Sequence, residues 1–103
     1  MMKKILLVCG TGASSGFMAK NIRKAAKEKG MELSIKARSD AEVDEYIEEI
    51  DLLLIGPHLK YMVVDLKEIA KPHQVPVHVI TEEAYGALDG AKVLAEILSI
   101  IEL

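Results

Sequence analysis

The chain is predicted to fold as a small α/β protein of the doubly wound kind, a four-stranded parallel sheet in the order 2-1-3-4 with helices on both faces. Three observations lead there. Short aliphatic runs alternate along the whole chain with stretches whose apolar residues recur at helical spacing. The first run, Lys3 to Cys9, is nearly continuous aliphatic sequence, as a strand covered on both faces must be. Strands that alternate with helices are joined by right-handed crossovers, and this makes the sheet parallel.

The elements follow in order. After the first strand, a helix is expected from about Ser15 to Lys29. It carries Met18, Ile22, Ala25 and Ala26 on one stripe, Lys and Arg elsewhere, and Gly30 as its stop. Leu33, Ile35 and Ala37 alternate with polar residues, which suits an edge strand with one wetter face. Ser39-Asp40-Ala41-Glu42 is a capping box that opens a short helix bearing Val43, Tyr46, Ile47 and Ile50 inward. Leu52 to Ile55 forms a third strand, ended by Gly56-Pro57. A third helix spans roughly Lys60 to Ala70, with Met62, Val63, Leu66 and Ile69 spaced for burial, and Lys71-Pro72 ends it. Val75 to Ile80 is the fourth strand, and Asp89 caps a last helix that runs to about Ile101.

Composition bounds the function. The 103 residues are half apolar, enough for one core without disulfides or a structural metal, and they are expected to form a single domain. The net charge of −3 gives no basic excess for nucleic acid or an anionic membrane. Lys3-Lys4 followed by a short apolar run is too brief for a signal peptide, and no stretch approaches the ~18 apolar residues of a membrane span. A cytosolic location is expected, with any membrane process served through a partner. His73 and His78 have no neighbours at metal-ligand spacing, so neither a metal nor another cofactor is expected.

Cys9 is the one cysteine, and it stands where the first strand meets Gly10-Thr11-Gly12-Ala13-Ser14-Ser15-Gly16. A thiol facing the first turn of a helix feels the partial positive charge and unpaired N–H groups there, and both favour thiolate. The same donors suit a phosphoryl group. Glycines let backbone approach the anion, and the hydroxyls of Thr11, Ser14 and Ser15 add donors. Free cysteine also serves as filler at strand ends, but three glycines and three hydroxyls in seven residues favour chemistry. Such sheets bind ligands at the carboxyl ends of their strands, near the switch between strands 1 and 3. The same edge receives His58, Lys60 and Tyr61 after strand 3, and Tyr85 after strand 4.

Several loop chemistries can be compared with these residues. The glycine spacing is one residue too long for a dinucleotide fingerprint, and no acidic residue closes the second strand to hold a ribose. A Walker A loop needs Gly-Lys-Ser/Thr, whereas Phe17 and Met18 follow Gly16. A flavodoxin-like ligand-binding module, with Cys9 merely structural, stays open, although one Phe and no Trp offer little to stack on a flavin. A low-molecular-weight cysteine phosphatase needs an arginine where this chain has Ser15, and a general acid that is absent.

Val8-Cys9-Gly10 with its small-residue loop, Leu54-Ile55-Gly56-Pro57-His58, Tyr61-Met62 and the run from Tyr85 to Leu94 together resemble the enzyme IIB component of the bacterial sugar phosphotransferase system, in its lactose, cellobiose and chitobiose class. The resemblance covers the chain in order. It implies that Cys9 accepts a phosphoryl group from a phosphohistidine of the IIA component and passes it to a sugar bound by the membrane IIC component. It also implies that Gly10, Thr11, Gly12, Ala13, Ser14, Ser15 and Gly16 form the phosphate cradle. Where many members of the class read Ala-Gly-Met-Ser-Thr-Ser after the cysteine, this chain reads Thr11-Gly12-Ala13-Ser14-Ser15-Gly16. His58 is left outside the site, Phe17 and Met18 are weighed between core and docking patch, and the acidic run from Asp40 to Asp51 reads as a solvated face.

Overall fold

A computed structural model describes residues 2–8 and 13–101, with the side chains of residues 13–15 outside the description. Four strands form one parallel sheet in the order β2-β1-β3-β4, as the alternation predicts. These are β1 (Lys3–Val8), β2 (Leu33–Arg38), β3 (Leu52–Ile55) and β4 (Val77–Val79). Between and after them run helices α1 (Ala13–Glu28), α2 (Val43–Tyr46), α3 (Val63–Ala70), α4 (Glu82–Gly86) and α5 (Gly90–Leu98).

The period-two geometry of the central strands divides the core. Ile5 and Leu7 of β1 with Leu52 and Leu54 of β3 face Met18, Ile22 and Ala26 of α1 and Val93, Leu94 and Ile97 of α5. Leu6 and Val8 with Leu53 and Ile55 face Val43 and Ile47, then Leu66 and Ala70 of α3. All eight residues of these two strand runs are buried, hence the unbroken aliphatic sequence. The edge strand β2 keeps only Leu33 and Ile35 buried, and the acidic residues Asp44, Glu45, Glu48 and Glu49 lie exposed.

Local chemistry sets the ends. Ser39 forms the predicted capping box with Glu42, and Asp89 accepts from the Lys92 amide to cap α5. Gly30 takes φ +70 after α1, with Met31 N–H bonded to Ala26 O and Gly30 N–H to Lys27 O. The same closure recurs at Gln74 (φ 57) after α3 and at Leu88 (φ 51) after α4, where no glycine marks it.

Four boundaries differ from expectation. α1 opens at Ala13 rather than Ser15, and α5 ends at Leu98 rather than near Ile101. The third helix is preceded by a 3₁₀ segment, Pro57–Met62, because Pro57 starts helical backbone readily and Leu59 is drawn into the core. β4 spans only Val77–Val79, since Pro76 before it has no N–H to give to the ladder.

α4 was not predicted. Thr81 caps it through the Ala84 amide, and Glu82 and Glu83 supply acidic charge in its first turn, which is the signal that marks it. Glu96 of α5 holds this corner. Its carboxylate accepts from the Thr81 amide at 3.3 Å and hydroxyl at 2.8 Å, and lies 2.6 Å from His78 Nε2. Glu96→Ala is expected to cost about 1–2 kcal/mol, measured by urea unfolding. The cost stays at the low end because exposed Thr81 can turn to water. A change under ~0.5 kcal/mol would show that the three contacts do not hold α4 in place.

Candidate functional site

The carboxyl edge of the sheet is assembled by register. Val8 pairs with Arg38 on one side and Ile55 on the other, and Ile55 pairs with Val79. One residue further along, the Gly56 N–H donates to Val8 O at 3.0 Å and the Ile80 N–H to Ile55 O at 2.9 Å. Cys9 is the residue bonded to Val8, so one Cα step of about 3.8 Å separates it from the switch point between β1 and β3.

Cys9, Gly10, Thr11 and Gly12 lie outside the described residues. Ala13, Ser14 and Ser15 are placed by backbone alone, and they form the first turn of α1 instead of a loop. The amides of that turn have no carbonyl one turn earlier within the helix, the situation in which a helix start can receive an anion. Gly16 stands within the helix and is exposed. A Cβ built there meets nothing within 4 Å, so internal packing does not require glycine at that position.

The structure separates Phe17 from Met18. Met18 is fully buried, whereas Phe17 is 58% exposed beside Lys20 and Arg23, around an open cavity of about 290 Å³. Tyr61 is also exposed. The loops after β3 and β4 touch each other. The rings of His58 and Tyr85 stand 5.6 Å apart between centroids at 56°, and Lys60 Nζ lies 3.6 Å from Glu82 Oε1. His58, Lys60 and Tyr85 are thus brought together, as their positions after neighbouring strands imply.

His78 is held elsewhere by Glu96, and His73 stands at the start of the path into β4, at the opposite edge. Among the described residues no cluster of His, Cys, Asp and Glu could hold a metal. Behind the carboxyl edge, an exposed pair links α4 to α5. The hydrogen bond and charge of Lys92 hold the Glu83 carboxyl below its usual range, and Glu83 raises the Lys92 ammonium in turn. The pair is exposed to water and contributes little.

The chain matches, over residues 4–96, the family model of the lactose/cellobiose-specific IIB subunit of the phosphotransferase system. It is 33% identical to the oligo-beta-mannoside-specific EIIB component of Bacillus subtilis, over 97% of either chain. It is 28% identical to part of the lactose-specific EIICB component of Lacticaseibacillus casei, a match that spans 79% of this chain and 14% of that one. Among solved structures, the lactose-specific IIB domain of Streptococcus pneumoniae superposes with a TM-score of 0.89, covering 99% of this chain and all of the other. At 16% identity that likeness speaks for the fold alone.

Proposed function

Because the chain belongs to the lactose/cellobiose-specific IIB family of the sugar phosphotransferase system, we propose that it is the component that carries the phosphoryl group, on Cys9. The observation that carries this reading is the register at the carboxyl edge. Position 9 directly follows Val8 at the switch point, and the first turn of α1 begins four residues later. A thiolate near a helix start is favoured by backbone donors of the kind that also suit phosphoryl oxygens.

The transfer takes two displacements. The Cys9 thiolate attacks phosphorus of a phosphohistidine on IIA; the P–N bond breaks, its electron pair returns to the imidazole, and an S–P bond forms. A sugar hydroxyl then attacks the same phosphorus, the thiolate leaves with the S–P electron pair, and the hydroxyl proton passes to a base on the acceptor side. Phosphoryl transfer depends mainly on positioning and electrostatics, so Gly10, Thr11, Gly12, Ala13, Ser14, Ser15 and Gly16 need only hold the oxygens while the partners bring donor and acceptor.

Two features support docking over this edge. Bare Gly16 and exposed Phe17 offer a close and apolar approach, and Lys20 and Arg23 rim it with positive charge. The IIC–IIB arrangement named for the L. casei relative supports a membrane IIC component as the sugar-bearing partner. Among the described residues no helix is long and apolar enough to cross a membrane. Relatives named for an oligo-β-mannoside and for lactose match this chain, so we assign a β-linked or related oligosaccharide only as a class.

With phosphoenolpyruvate, the general phosphotransferase proteins and a IIA subunit, the chain is expected to gain the mass of one phosphoryl group, located on Cys9. It should turn over p-nitrophenyl phosphate negligibly, because position 15 is serine and supplies no guanidinium to the transferring oxygens. An unmodified mass would overturn the reading. Brisk hydrolysis would favour a phosphatase instead.

A further inference from the structure

The sheet has two edges, and they are closed differently. β4 is three residues long and follows Pro76, and a strand that short offers little for another to pair with. β2 is six residues long, so its outer side is a ready template for a further strand. The hydrogen bonds of β1 identify the groups that lie there. Lys4 O and Val8 O accept from the Asp51 and Gly56 N–H groups on the β3 side, so the backbone groups of Ile5 and Leu7, one residue out of step, turn toward β2. A parallel ladder bonds a residue to the neighbours of the one opposite it. Ile5 lies opposite Ile35 and Leu7 opposite Ala37, so Ile35 and Ala37 turn their own carbonyls away from β1, to the open edge.

Both of these carbonyls are taken by arginine. Arg23 reaches from α1 on one face of the sheet and donates from Nη1 to Ile35 O at 2.8 Å. Arg38 donates from Nη1 to Ala37 O at 2.8 Å, and Tyr46 of α2, on the other face, holds it there. Its Nε donates to the Tyr46 hydroxyl at 3.1 Å, and the guanidinium carbon stands 5.7 Å from the ring centroid.

We propose that Arg23 and Arg38 guard the β2 edge: by occupying two successive outward carbonyls, they keep a second copy of this chain from adding its own β2 there and joining two sheets into one. The device is independent of what Cys9 carries. Paired strands lie about 4.8 Å apart, a gap that a guanidinium fills, so an incoming strand must first displace both groups. Each displacement breaks a charge-assisted hydrogen bond, worth about tenfold or more in an equilibrium. A second copy is opposed twice over. Two-fold pairing of β2 with β2 brings the other copy's guanidiniums to the same ladder, four like charges along one short edge.

The test is sedimentation velocity from micromolar to millimolar protein on the wild type and on Arg23→Ala/Arg38→Ala, with circular dichroism to verify the fold and NMR amide exchange to locate any contact. The double variant is expected to self-associate roughly a hundredfold or more tightly than wild type, since four guanidiniums per dimer are gone. In the associated variant the outward amides of Ile35 and Ala37 should exchange at least about tenfold more slowly than in wild type, because pairing draws them into a ladder. A double variant no more associated than wild type would overturn the proposal. So would association that leaves those two amides unprotected, or a wild type already paired through them. If the double variant loses its native circular dichroism, each single variant takes its place, and two single variants as monomeric as wild type would overturn the proposal equally.

Discussion

Cys9→Ser is expected to abolish sugar phosphorylation, lowering the relay rate by at least ~10³-fold, while the melting temperature stays within about 3 °C of wild type. The two halves of this result have separate causes. A thiolate is ionised near neutral pH beside a helix N-terminus and leaves readily from phosphorus, whereas a serine hydroxyl is not appreciably ionised and its phosphate ester leaves poorly. The fold is held by other residues. Ile5, Leu6, Leu7 and Val8 are each at most 2% exposed and anchor β1 on both faces, so an exchange of sulfur for oxygen at the next position removes no part of that core. The measurement is sugar phosphorylation with purified partners, alongside a circular-dichroism melt. Retained phosphorylation would place the carrier elsewhere, and a collapsed melt would make Cys9 a packing residue.

Gly90→Ala is expected to destabilise the fold by about 2–3 kcal/mol, a fall in melting temperature of roughly 10–20 °C. Gly90 opens α5 where that helix crosses α1. A Cβ there would overlap the Asn21 backbone carbonyl and approach the Ile22 amide nitrogen to 2.8 Å. Backbone cannot swing aside as a side chain can, so α5 must move. That movement would disturb the Asn21 Nδ2 hydrogen bond to Leu88 O, which supports a non-glycine residue with positive φ. Alanine gains at most about 1 kcal/mol of helix propensity, less than the overlap costs. Gly16→Ala in α1 is the control: its added Cβ meets nothing within 4 Å, so stability should hold or rise. Equal stability of Gly90→Ala and wild type by urea unfolding would show that α1 and α5 can separate without loss.

Much of the fold is legible from short-range patterns. The unbroken aliphatic residues of β1 and β3, the alternation in β2, the capping box at Ser39 and the cap at Asp89 all lie where they were expected. Helix ends were legible where the residue itself carries the signal. Gly30 marks its left-handed stop openly, but Gln74 and Leu88 adopt the same backbone with no glycine to announce it. For that reason α4, which ends at Gly86 with the left-handed Leu88 two residues on, is not legible despite the Thr81 cap. The candidate site divides in the same way. That a thiol precedes a run rich in glycine and hydroxyls can be read from consecutive residues, and the family resemblance joins that stretch to Leu54–His58, Tyr61-Met62 and the run from Tyr85 to Leu94.

By itself, then, the sequence determined the strands, their buried faces and their order. These are written in the identities of residues within a few positions of one another, through side-chain period, cap hydrogen bonds and the absence of charge from strand interiors. The tertiary structure alone decided that Met18 is core while its neighbour Phe17 faces solvent, that His58 meets Tyr85, that Glu96 holds Thr81 and His78, and that Gly90 must be bare against α1. Each of these depends on how two separately formed elements are rotated and spaced when they pack. That is fixed by the close fit of whole surfaces, and no local pattern records it.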